Sequence, residues 1–291
     1  MTDASGKRPG QGVLITRPEG QRDRLATVLA DAGIASRFLP LLSLRAVTEP
    51  AQVESVKTQI SAISTSDLAI FISTNAVNYA GHFFESCVCE QGAGLEDTQQ
   101  WPASVPCVPI GQATAKALAL RGWPTVSDSV DGLAAQTTER LLATPALQNV
   151  ADKKITIFRG VGGREVLAEA LRSRGASVDY CELYIRGYPQ YDYATVSSAL
   201  GLQDNTPPAA ILFASGETLA NFYRHLQRYQ RDGKLDARLN TQLMAIPVLV
   251  PSARVKAQAE AFGAKTVWLA ANASAEGFLQ ALKHHCPEIL S

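Results

Sequence analysis

The chain has 291 residues, enough for two domains that each bury a core. Apolar residues make up 46% and charged residues 19%, which excludes an intrinsically disordered chain. With 27 basic and 27 acidic residues the net charge is zero, so no global field draws nucleic acid or a membrane surface, and an anionic ligand must be held by local donors.

The opening MTDASGKRPGQG is polar and lacks an apolar h-region, so it reads as a frayed start rather than a signal peptide. No apolar run approaches the ~18 residues of a membrane span, and the expected location is the cytoplasm. Val13–Thr16 reads as a short strand, followed by a turn with Pro18 and Gly20. A helix follows, with Leu25, Val28, Leu29 and Ala32 at three- and four-residue spacing, and Gly33 stops it. IASRFLPLLSL (34–44) reads as the next strand. Beyond Pro50, Val53, Val56 and Ile60 mark an amphipathic segment. DLAIFIS (67–73) is a continuous apolar run, the pattern of a buried parallel strand, with a helix from about Asn75. CVPIG (107–111) is a further strand, Ala113–Leu120 a helix closed by Gly122, and GLAAQTTERLLA (132–143) another helix.

From Ile155 the series begins again. Val13 to Gly33 and Ile155 to Gly175 align without a gap, agreeing at Ile15/Ile157, Arg17/Arg159, Gly20/Gly162, Arg22/Arg164, Leu25/Leu167, Ala26/Ala168, Leu29/Leu171 and Gly33/Gly175. AAILFAS (209–215) answers LAIFIS, so Phe213 meets Phe71 and Ser215 meets Ser73. VLVPSARVKAQAEAFG (248–263) answers residues 107–122, and ASAEGFLQALKHH (273–285) answers 129–142 more loosely. Alternating strands and helices predict parallel sheets covered by helices, in an α/β chain built by tandem duplication.

In open parallel sheets, ligands bind beyond the carboxyl ends of the strands. The residues expected there are Thr16-Arg17, Ser73-Thr74-Asn75, Gly111-Gln112, Arg159-Gly160 with Gly163, Ser215-Gly216 and Pro251-Ser252. Helices begin at once after them, so each loop offers free N–H groups and a positive dipole end to carboxylates or phosphates. The same residue types also simply cap helices, and Arg17 and Arg159 also suit an exposed surface. GVGG (160–163) lacks the spacing of a dinucleotide fingerprint and the lysine of a P-loop. Five cysteines in irregular positions give no disulfide framework. Cys87-Val-Cys89, the only close pair, has no second pair or nearby histidine to complete a metal site, and no metal is expected. His82, His225, His284 and His285 read as helix-surface residues.

At VLITRPEGQ, FLPLLSL, FISTNAV, PIGQATAKAL, IFRGVGGREVLAEALRSRGASVDYCELYIR and LFASGETLANF the sequence resembles the uroporphyrinogen-III synthase family, in order and over about Val13 to His285. The resemblance implies two similar flavodoxin-like domains joined by a two-stranded linker with an interdomain cleft. One would hold 12–38 with 187–291 and the other 43–182, with crossings near 39–43 and 182–186. The implied enzyme is a monomeric hydro-lyase of tetrapyrrole and heme biosynthesis, without cofactor. It closes hydroxymethylbilane, a linear tetrapyrrole with eight carboxylates, to uroporphyrinogen III with loss of water and inversion of ring D. Loss of the terminal hydroxyl leaves an azafulvene cation that the pyrrole attacks through a spiro intermediate, so the work is folding the substrate and placing donors. The upstream deaminase is the implied transient partner; neither nucleic acid nor a membrane is.

The same resemblance makes Tyr184 of CELYIR the catalytic hydrogen-bond donor and Thr114 a residue facing the site. It assigns Ser73, Asn75, Ser215, Gly216 and Ser252 to carboxylate-holding loops. PSAR (251–254) stands where many relatives have a G-x-T-T/S-like turn, a departure that weakens the carry-over to Ser252 and Arg254. A tyrosine with an apolar body and polar tip also packs well at a crossing, and Thr114 also suits a helix cap. The alternative function is a non-catalytic two-domain module binding a polyanionic small molecule. A phosphate- or nucleotide-binding enzyme is a third, for which the Gly-rich fingerprints are missing.

Overall fold

The computed structural model describes residues 12–19, 23–90, 101–126, 138–163 and 165–290. Gly20, Arg22 and Arg164 of the repeat, the polar residues 1–11, the 132–137 part of the expected helix and the side chains of Cys87 and Cys89 lie outside the described residues. The strands are β1 (Val13–Ile15), β2 (Ser36–Phe38), β3 (Ser43–Ala46), β4 (Leu68–Phe71), β5 (Cys107–Pro109), β6 (Lys154–Gly160), β7 (Ser177–Gly187), β8 (Ala210–Leu212), β9 (Val248–Val250) and β10 (Val267–Leu269). The helices are α1 (Asp23–Asp31), α2 (Pro50–Ser61), α3 (Thr74–Glu90), α4 (Gln112–Leu120), α5 (Thr138–Leu142), α6 (Val166–Ser173), α7 (Tyr193–Ala199), α8 (Gly216–Arg231), α9 (Ala237–Met244), α10 (Ala253–Ala261) and α11 (Ala275–His285). The chain divides into two units, Met1–Leu44 with Gly187–Ser291, and Arg45–Arg186.

The first unit holds a sheet of order β10-β9-β8-β1-β2, every neighbouring pair parallel. Side chains alternate across it. Val13, Ile15, Ala210, Leu212 and Leu249 meet Leu25 and Leu29 of α1 and Phe278 and Leu282 of α11. Leu14, Ile211, Phe213, Val248 and Val250 meet Leu219 and Phe222 of α8 and Val255 of α10 on the other face. Burial on both faces is why the strands read as unbroken apolar runs. The segment 34–44, expected as one strand, is instead two. Pro40 brings no N–H to a ladder, and Leu39 and Leu41 turn inward while their amides bond Ile15 O and Thr16 O. The chain resumes as β3 in the other sheet.

The second unit holds the order β3-β7-β6-β4-β5, with β7-β6, β6-β4 and β4-β5 parallel. Leu68, Ile70, Val108, Ile155 and Ile157 face Leu167 and Leu171 of α6. Its opposite face is aromatic: Phe71 and Phe158, in register on β4 and β6, stack at 4.5 Å, and Trp101, Trp123 and Phe84 close around them. The duplication is visible in the topology, since β2-β1-β8-β9 of one sheet corresponds to β7-β6-β4-β5 of the other. Even β10 has a vestige, a parallel bridge of Thr125 to Cys107 beside β5. Gly33 and Gly175 end equivalent helices at φ +76° and +89°, which lets the following amides, Ile34 and Ala176, reach back to Leu29 O and Leu171 O.

One stripe of α8 ties down the two chain segments that pass it. Asn221 donates to Leu41 O at 2.7 Å, and Tyr229 donates to Tyr191 O and Asp192 O at 2.8 and 3.0 Å. Arg228 donates to Gln190 Oε1 and Tyr191 O. His225 Nε2 lies 3.1 Å from Pro189 O, an acceptor only, so Nε2 carries the proton and Nδ1 accepts from Arg228. His225 is therefore not a surface residue as expected: it is 0% exposed, whereas His82, His284 and His285 are exposed. Spacing of i, i+4, i+7 and i+8 puts it on the same stripe as the three anchors. Among the described residues Cys107, Cys181 and Cys286 are buried free thiols, and no helix is long and apolar enough to cross a membrane.

Burial, seconded by the neighbouring Arg228, pushes the His225 imidazole down to about 4 from its ordinary 6.5. Tyr188, Tyr191 and Tyr229 face the same ring, with Arg224 further lowering it. Between pH 6.5 and about 4 the unfolded chain takes up a proton that the folded one does not. Stability from this site is thus complete above pH 6.5 and is lost as pH falls toward 4. Urea midpoints measured from pH 8 to pH 4 are expected to fall across that window, and His225→Gln is expected to flatten the fall.

Candidate functional site

In the second unit the residues expected at the strand ends converge at the boundary of β6 and β4. Helix α6 leaves β6 on one face of the sheet and α3 leaves β4 on the other, so the carboxyl ends of these two strands border an uncovered gap. Ser73 ends the β4 segment and caps α3, its Oγ accepting from Ala76 N at 3.0 Å. Thr74 and Asn75 form the first turn behind it. Tyr184 reaches the same point from β7, two strands away, and its hydroxyl lies 3.1 Å from Ser73 Oγ. The path runs over Gly160, where an added Cβ would stand 2.8 Å from Tyr184 Cε2, so only a glycine leaves room. Tyr79 of α3 stacks on the Tyr184 ring at 5.0 Å, and burial raises its phenol above the ordinary range. Tyr184 is 0% exposed. Gly111 caps α4 with extended backbone, and Thr114 is buried in its first turn.

Arg159 does not project as a free cation. It is 4% exposed and lies between two carboxylates, Nε 3.0 Å from Glu182 Oε1 and Nη2 3.3 Å from Glu165 Oε1, with its guanidinium 3.8 Å from the Tyr180 ring centroid. Glu182 Oε1 also accepts from Gly162 N at 3.1 Å. Tyr180 donates to Glu165 Oε2 at 2.6 Å; burial and that bond push its phenol to about 12. The Tyr180 bond and Arg159 hold the Glu165 carboxyl below its ordinary value. Gly163 (φ +146°) lies beside the Arg159 guanidinium. The pair organises the 160–163 loop from inside, because a buried arginine must satisfy its charge locally.

The first unit repeats the arrangement with different fittings. Thr16, buried, donates to Leu212 O at 2.7 Å and so stitches β1 to β8 at the equivalent boundary; its hydroxyl is committed to backbone rather than held out for a ligand. Ser215 caps α8 and Ser252 caps α10, accepting from Thr218 N and Val255 N. Gly216 admits Gln258, whose Nε2 donates to its carbonyl at 3.1 Å. Arg17 turns to the start of α11, donating to Ala273 O over the Phe278 ring, and burial lowers its pKa against the pull of Glu276. Its Nε is buried without a partner among the described residues.

A family model, described as uroporphyrinogen-III synthase HemD, matches residues 23–280. The chain belongs to this family. The uroporphyrinogen-III synthase of Salmonella typhimurium is 30% identical over 273 residues, 93% of this chain and 99% of its own. That of Escherichia coli is 28% identical over 271 residues, with the same coverage. Among solved structures, a mutant uroporphyrinogen III synthase from Thermus thermophilus matches with a TM-score of 0.54 at 18% identity, covering 94% of this chain and 99% of that one. The Helicobacter pylori uroporphyrinogen-III synthetase matches with 0.52 at 13%, covering 93% and 97%. At those identities the likeness is one of fold.

Four partners escaped the sequence reading. Glu182, Glu165 and Tyr180 became visible only through the register of β7 on β6, and Tyr79 only through the α3 packing. Ser274, which caps α11 by accepting from Gly277 N at 3.0 Å, had a legible signal in its place ahead of a helical pattern, matching Ser215 and Ser252. Gly160→Ala is expected to destabilise the protein by about 1–3 kcal/mol through overpacking. Denaturation curves check it, with a smaller loss expected in a Tyr184→Ala background, where the obstructing ring is absent.

Proposed function

We propose that this chain closes hydroxymethylbilane to uroporphyrinogen III, releasing water and inverting ring D. Family membership supports the reaction. The observation that carries its chemistry is the Ser73–Tyr184 hydroxyl pair at the β4/β6 boundary. The reaction is redox-neutral. The terminal C–O bond breaks, and the substituted α-carbon of ring D forms a C–C bond to the freed methylene to give the spiro intermediate. That carbon's older bond to its bridging methylene then breaks, and this methylene rejoins ring D at the free α-carbon, whose proton leaves with the hydroxide as water. Ser73 Oγ accepts from the α3 amide, and in the proposed arrangement its own proton goes to Tyr184 Oη, 3.1 Å away. That leaves the phenolic proton to be aimed at the departing hydroxyl, with the α3 N-terminus polarising the relay. Donors fixed in place before the reaction need no reorganisation as charge develops.

Each unit offers amides to carboxylates at its own helix starts: α3 and α4, beside Asn75 and Gly111, in the second, and α8, α10 and α11, beside Ser215, Ser252 and Ser274, in the first. Arg17 adds charge in the first unit, whereas Arg159 acts on the loop and not on the ligand. One chain carries all of these loops, which supports action as a monomer. Supplied with freshly generated hydroxymethylbilane, the purified protein is expected to give mainly isomer III after oxidation, in proportion to enzyme. Isomer I alone, at the uncatalysed rate, would remove the proposal. Tyr184→Phe is expected to lower kcat roughly ten- to hundredfold with an unchanged unfolding curve, and an unaltered kcat would assign the tyrosine to packing.

A further inference from the structure

We infer that Arg159 and Glu182 are positioning residues for Tyr184, because their ion pair holds the extra residue of β7 that turns the tyrosine toward Ser73. Strands β6 and β7 pair one to one from Lys154↔Ser177 to Arg159↔Glu182, and then Gly160 pairs with Tyr184. Leu183 is left without a partner on β6, and its carbonyl bonds Val47 N instead. Side chains alternate with a period of two, so under regular pairing Leu183 would oppose Gly160 and Tyr184 would share a face with Tyr180 and Glu182. The bulge reverses the parity. Tyr184 falls on the face of Gly160, where its ring crosses β6 and its hydroxyl meets Ser73. A bulge commonly re-aims a side chain in this way.

The contacts that fix the bulge stand on its opposite side. Glu182, the last regularly paired residue, holds Arg159 at 3.0 Å and the Gly162 amide at 3.1 Å through one oxygen, while Val161 N bonds Tyr184 O at 2.7 Å. Glu165 and the Tyr180 ring complete the enclosure of the guanidinium. The strand end and the 160–163 loop are thereby locked on either side of the tyrosine.

The catalytic consequence rests on the proposed role of Tyr184; the geometric one does not. Glu182→Gln and Arg159→Lys, each confirmed folded by circular dichroism, are to be compared with Tyr184→Phe and with the double variants. In the crystal structure of either single variant, Tyr184 Oη is expected to leave Ser73. The kcat is expected to fall about tenfold with KM little changed, since small misplacements of a reacting group are costly. Added to Tyr184→Phe, neither substitution is expected to lower kcat further, whereas a merely structural role would multiply the losses. An Oη that stays on Ser73, or losses that multiply, would overturn the inference. If Oη moves but Tyr184→Phe has normal kcat, positioning stands and the chemical role of Tyr184 falls.

Discussion

Adjacent parallel strands whose helices leave on opposite faces cannot both have their carboxyl ends covered, and the gap between them is the one place where a sheet of this kind stays open. This chain builds that gap twice. Between β1 and β8 it follows from α1 packing on one apolar layer and α8 on the other. Between β6 and β4 it follows from the same division of α6 and α3. The polar residues that matter gather at these two boundaries because the fold leaves them no helix to lie under. In one unit the boundary is stitched by Thr16 on Leu212 O; in the other it is left for Tyr184 to enter over a glycine.

The two boundaries started as copies and have diverged in what they hold. Arg17 and Arg159 occupy the same place in the repeat, yet one reaches the next helix start and the other is sealed among carboxylates. The difference lies in the neighbouring strand. Strand β7 runs eleven residues and sets Tyr180, Glu182 and Tyr184 against Ile157, Arg159 and Gly160 in the C-terminal half of β6, while β2 stops after three. A longer neighbour supplies both the carboxylate that closes around the arginine and the phenol that crosses the gap. Ser73 and Ser215, by contrast, kept one duty, the capping of the helix that follows.

The sheets, their parallel sense and their flanking helices were legible because burial on both faces leaves continuous apolar runs closed by glycine. Strand ownership was harder: Pro40 marks a local break in 34–44, but nothing in the segment says that the pieces on either side of it belong to different sheets. The loops at the strand ends could be located, but not their inner partners. Arg159 and Glu182 lie 23 positions apart, and their meeting depends on a register interrupted by one residue. Period-two reasoning applied to CELYIR would place Tyr184 beside Glu182, the wrong side of the sheet. His225 was misread because a lone histidine on a polar helix gives no sign that the segment carrying Pro189 O passes over it.

The bond from Thr16 to Leu212 spans 196 positions of chain. During synthesis at roughly 5–20 residues per second, β1 therefore waits about 10–40 s for the strand that flanks it on that side. The interval is filled by the making of the entire second unit, whose strands are contiguous in sequence and whose core needs nothing from later residues. Assembly on the ribosome is thus ordered from the inside out: the inserted unit closes first, and β1, made before it, is enclosed only afterwards.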